Sequence, residues 1–179
     1  MTDARVKTPF GWKDWKGTPD GRGVVTELGI SCPLDPIEIP GIAAADAFDA
    51  NDCFGTVFKI AVPKAGIIQS ATYWDMDDEG TQIDFMVFKN SISATTSDAA
   101  WAPTDSDLQS LVTTLQFATF KDHGTGQTAE LTNIGKLYTA MGGYLYVQAQ
   151  CLATPTIAAG NMPRFQLQIM SLDPSFEVL

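Results

Sequence analysis

From residue 54 onward the chain runs in short apolar segments separated by turn residues. In 54–63, FGTVFKIAVP, Phe54, Thr56, Phe58, Ile60 and Val62 fall on one side and Gly55, Val57, Lys59 and Ala61 on the other. That period of two is the mark of a strand with one buried face. PKAG makes a turn, and 67–76, IIQSATYWDM, reads as the next strand. In 81–90, TQIDFMVFKN, Ile83, Phe85 and Val87 share one face while Met86 and Phe88 occupy the other. Apolar residues on both faces predict a strand covered on both sides. TLQFATF (114–120), IGKLYTA (134–140), GGYLYVQAQCLA (142–153) and PRFQLQIMSLD (163–173) supply further strand patterns.

Between them, 91–103 is a polar loop anchored by Trp101, and 104–112, TDSDLQSLV, predicts one short helical turn. Thr104 or Asp105 is its N-cap, and Asp107 lies in the first turn, where the helix dipole favours an anion. Upstream, GVVTELGIS (23–31) reads as a first strand. Three prolines in CPLDPIEIPG (32–41) forbid a central strand. IAAADAFDAND (42–52) is ambiguous, its alanines favouring a short helix. About eight short strands without a βαβ rhythm point to an all-β, antiparallel β-sandwich of jelly-roll-like type. An extended basic arm, 1–22, rich in glycine and proline, precedes a sandwich domain spanning 23–179.

With 179 residues, 45% of them hydrophobic, the chain is long enough for one domain with a substantial core. The start lacks the apolar stretch of a secretory signal, so synthesis and folding in a cytosol are expected. No run approaches the length of a membrane span. Cys32, Cys53 and Cys151 are odd in number and lack CxxC spacing, so they imply neither a disulfide framework nor zinc, and buried thiols are expected.

The net charge of −10 is unevenly spread. The arm has Arg5, Lys7, Lys13, Lys16 and Arg22 against Asp3, Asp14 and Asp20, a balance of +2. The rest keeps six basic and eighteen acidic residues, a balance of −12. So acidic a body argues against nucleic acid as a partner. The arm's Trp12, Lys13, Trp15 and Lys16 are the candidate docking residues for a protein partner, since buried aromatic and cationic anchors favour interfaces.

Asp75, Asp77, Glu79 and Gly80 occupy the first, third, fifth and sixth positions of a calcium loop. The match fails at the ninth and twelfth, where Ile83 and Met86 stand. No metal site is assigned, and these three carboxylates are the nearest approach to one. The reading that accounts for every residue is a hairpin turn, Asp77-Asp78-Glu79-Gly80, with Gly80 at positive φ. His123 in KDHGTGQT has no nucleophile elbow and no phosphate-binding pattern around it, so catalysis is not expected. Tyr73, Trp74, Trp101, Tyr138, Tyr144 and Tyr146 are candidates for a sugar-stacking surface, although aromatic strand residues more often pack in a core.

IDFMVFKN, SDAAWAPTDSDLQSLVTTLQF, NIGKLYTAMGGYLYVQAQ and FQLQIMSLD together resemble a recurrent family of tailed-bacteriophage virion proteins. In that family a strand ending in Leu-Phe precedes a loop with an Ala-Trp-x-Pro-x-Asp-x-Asp element. A short helix, a hairpin of the form GxLY…LYV and a final strand follow. The resemblance covers 66–173 and leaves the arm outside it. It implies a jelly-roll-like sandwich serving as a capsid decoration or cement protein. The expectations that follow are a non-enzymatic virion protein on the capsid surface, without cofactor. Its partners would be the major capsid protein and itself, as a homotrimer, with neither membrane nor nucleic acid. The alternative is a carbohydrate- or receptor-binding sandwich of a head or tail fibre. An enzyme such as a glycan hydrolase would need two carboxylates facing each other across a cleft.

Overall fold

A computed structural model describes residues 5–8, 11–14, 31–43 and 45–172. In chain order the strands are β1 (Arg5–Thr8), β2 (Gly11–Asp14), β3 (Ser31–Pro33), β4 (Ile37–Glu38), β5 (Asp46–Ala47), β6 (Cys53–Ala61), β7 (Ala65–Asp75) and β8 (Ile83–Phe88). The short helix α1 (Asp105–Leu108) precedes β9 (Leu111–Phe117), β10 (Lys121–Asp122), β11 (Gln127–Leu131), β12 (Lys136–Thr139), β13 (Tyr144–Cys151), β14 (Thr156–Ile157) and β15 (Arg164–Ser171). Every pairing between them is antiparallel.

Two sheets make the body. In one, β15 and β7 are central; β3 and β4 share the far edge of β15, and β11 and β12 share the far edge of β7. The other has the order β6-β13-β8-β9. With β3/β4 and β11/β12 each taken as one interrupted strand and the two-residue strands β5, β10 and β14 set aside, the chain changes sheet at every step except β8 to β9. That is the connectivity of an eight-stranded jelly roll. The prolines of 32–41 lie where a missing N–H is tolerated, beside β15 at the sheet margin.

Alternation fills the space between the sheets. Ile68, Ala71 and Tyr73 of β7 and Phe165, Leu167 and Ile169 of β15 face Phe58 and Ile60 of β6, Leu145, Val147 and Ala149 of β13, and Phe85 and Val87 of β8. Phe85 stacks on Phe165 across the gap, with ring centroids 4.4 Å apart and planes 13° from parallel. Phe117 meets both rings edge-on.

β8 is buried along its whole length, as its two-sided pattern predicts. Its second face is covered by the loop before α1. Ile92 and Trp101 pack with Met86 and Phe88, Cys53 N–H donates to Ala99 O at 2.8 Å, and the fully buried Gln148 donates to Thr95 O at 2.7 Å.

Thr104 caps α1 and its hydroxyl accepts from Asp107 N–H, while the Asp107 carboxylate accepts from the Thr104 N–H at 3.1 Å and hydroxyl at 2.7 Å. The Thr104 contacts, joined by Ser93 N–H, hold the Asp107 carboxyl below its usual range. Because the folded value is depressed, this contribution is complete above the ordinary carboxylate pKa and is lost as pH falls through the lowered one. Thr104→Ala should cost about 1 kcal/mol near neutrality. Melting curves across acid pH should show that difference shrinking.

Three expectations need correction. The segment 42–52 is not helical among its described residues: β5 pairs with β14, Phe48 enters the core, and Asp46 and Asp52 carboxylates accept from Ala43 and Asp49 N–H groups. Such side-chain-to-backbone bonds compete with helix formation. The connection after β7 is not a hairpin, since β7 and β8 belong to different sheets, and the same holds for β12 and β13. Both are arches across the sandwich. Within the arm, Arg5–Thr8 pairs with Gly11–Asp14, a hairpin where no strand period is visible. The strand expected over 23–31 lies outside the described residues, except for Ser31.

Candidate functional site

The acidic arch between β7 and β8 spends its carboxylates on the protein itself. Asp75 is 2% exposed, and accepts from Asp77 N–H at 3.1 Å and Gly80 N–H at 2.7 Å, one on each oxygen. Asp77 reaches across the end of the sandwich to accept from Ala158 N–H and the Asn161 amide, at 2.6 and 2.8 Å. Glu79 accepts from Thr156 N–H at 3.3 Å. Asp78 and Gly80 both have φ of 61°, so the tight return is made by two left-handed residues, Gly80 as expected. The three carboxylates therefore diverge into a clasp between this arch and the 155–161 loop. No group of three or more His, Cys, Asp or Glu side chains is disposed for a metal ion among the described residues.

Charge collects at that end. That end carries Asp46, Asp49, Asp52, Asp77, Asp78, Glu79 and Asp122, with Lys121 and Arg164 as cations, the latter 4.0 Å from Glu38. Lys64 lies at the other end, beside the β12–β13 arch.

The remaining candidates separate in space. His123 is exposed in the β10–β11 turn, with Nε2 2.9 Å from the Thr128 hydroxyl. Cys53 and Cys151 are buried, and burial pushes both thiols up to about 11, leaving them protonated and unreactive near neutrality. Tyr73 and Tyr138 lie inside the core. Trp74 sits half-buried on the β7/β15 sheet, whereas Trp101 and Tyr146 pack on the other sheet beside Phe88. Tyr144 stacks under the Lys59 ammonium, 4.7 Å from the ring centroid. The six aromatics thus form no single platform.

No family model, curated protein or solved structure matches the chain. A shallow recess of about 440 Å³ lies over β6, lined by Val57, Lys59, Ile92 and Tyr146 among others. It is open and mostly apolar. Among the sequence-chosen arm residues, Trp12 and Lys13 lie in β2, where only the strand pairing is described, while Trp15 and Lys16 fall outside the described residues.

Sequence reasoning missed the partners of the clasp. Ala158 and Asn161 stand some eighty residues from Asp77 in an unremarkable loop, and no local pattern connects them.

No helix among the described residues is long and apolar enough to cross a membrane.

Proposed function

We propose that this chain is a structural protein of a phage virion, a decoration subunit that binds the major capsid lattice and stabilises it through its arm and its contacts with other subunits. The observation that carries this reading is the course of 66–173, the region with the virion-protein resemblance. It runs through consecutive strands of one jelly roll, with Trp101 anchoring the loop and Asp105 and Asp107 in the first turn of the helix, the positions of the resembling motif's tryptophan and aspartates. Jelly rolls suit repeated, shape-matched assembly. An acidic end facing solvent would keep a high-copy subunit soluble. A basic arm with Trp12 and Trp15 supplies cationic and aromatic anchors for a partner surface.

The test adds purified chain to capsid shells assembled without it. The shells should melt at a higher temperature with the chain bound. The double substitution Trp12→Ala and Trp15→Ala should leave the chain's own melting transition in place and abolish the effect on the shells. Unchanged shell stabilisation by the double variant would remove the arm from the interface.

A further inference from the structure

Among the described residues, the outer face of the β15-β7-β12 sheet is uncharged at the end away from the acidic loops. Leu137, Ile67 and Met170 lie directly opposite one another on three adjacent strands. The next row is Thr139 opposite Ala65, with Leu172 N–H donating to Ala65 O at 3.0 Å. Gln69 closes the patch, its amide 3.8 Å from the Met170 sulfur. Side chains in such rows share one face, and here it is the outward one, because Gly66, Tyr138 and Ile169 point inward to the core. Leu137 is 60% exposed and Leu172 is 49% exposed.

We propose that this face is where a second copy of the chain packs. Charge selects that occupant. The body from residue 23 onward carries a balance of −12, so two copies repel over most of their surfaces. Among its described residues this window contains no carboxylate, and Lys64 and Lys136 border it, placing cations where an acidic neighbour arrives. At this end Ser31 of β3 pairs with Met170. Burying Leu137, Ile67, Met170 and Leu172 supplies the apolar contact that the rest of the acidic surface lacks.

The inference rests on the self-association that the virion reading expects, but its test needs no capsid, so the two fail separately. Light scattering on the purified full chain over a concentration series should give at least twice the 19.3 kDa of one chain. Leu137→Glu with Leu172→Glu should return the single-chain mass with the melting transition retained. The milder Leu137→Ser with Leu172→Ser should raise the concentration needed for association, and gives the answer if the glutamates unfold the chain. Leu152→Glu, exposed at the acidic end, should leave the mass unchanged. A wild type of single-chain mass at every concentration overturns the proposal. So does an oligomer indifferent to both pairs, or one that Leu152→Glu dissolves equally. A single-chain wild type that loses shell binding on Leu137→Glu assigns the face to the capsid, and overturns it as well.

Discussion

Phe85→Ala is expected to cost about 3–5 kcal/mol, the range for removing a buried aromatic whose surroundings collapse only in part. Phe85 is fully buried on β8, stacked on Phe165 of the opposite sheet, and touched by Phe117 and Tyr73 at centroid distances of 5.5 Å each. Its ring is the place where β8, β9, β7 and β15 meet, so truncation removes contacts from both sheets at once. Tilted and stacked aromatic pairs add to area burial. Urea unfolding of the wild type and variant measures the difference. A loss under about 1 kcal/mol, the size of an average substitution, would mean that the sheets are not held together through this cluster.

Asp75→Ala should be the most damaging change among the acidic residues, at about 2–4 kcal/mol. Its carboxylate is buried and satisfies two backbone N–H groups of the arch. Hydrogen bonds to a charged group contribute about 1.5–3 kcal/mol each, and a buried donor left unmade pays its desolvation. Asp75→Asn keeps one acceptor and should recover part of the loss. Adding calcium should leave the wild-type melting temperature where it was, because Asp75, Asp77 and Glu79 are directed at different donors. A calcium-dependent rise that vanishes in Asp75→Ala would restore the metal reading of this loop.

How far the sequence determines this architecture can be followed along particular strands. β6, β13 and β15 are legible because Phe58, Ile60, Leu145, Val147, Phe165 and Leu167 alternate with polar or small neighbours, and one buried face requires it. β8 is legible from its two apolar faces, although nothing local says that the 91–103 loop supplies the second cover. α1 follows from a cap and an acidic third position.

Sheet membership is different. A short connection between two apolar strands suits a hairpin and an arch equally, and the choice is made by what each strand pairs with far along the chain. β7 finds β15 and β11, and β8 finds β13 and β9. β11 escaped notice because QTAEL buries Ala129 fully and leaves little pattern to read. The clasp at Asp77 and the uncharged face around Leu137 arise only when distant strands align.

The most direct measurement of the assembly role is co-sedimentation of the full-length chain with capsid shells lacking it, across increasing chain concentration. Saturable binding at a fixed number of chains per lattice unit is the expected result. Sedimentation of shells alone, with the chain left in solution at every concentration, would contradict it.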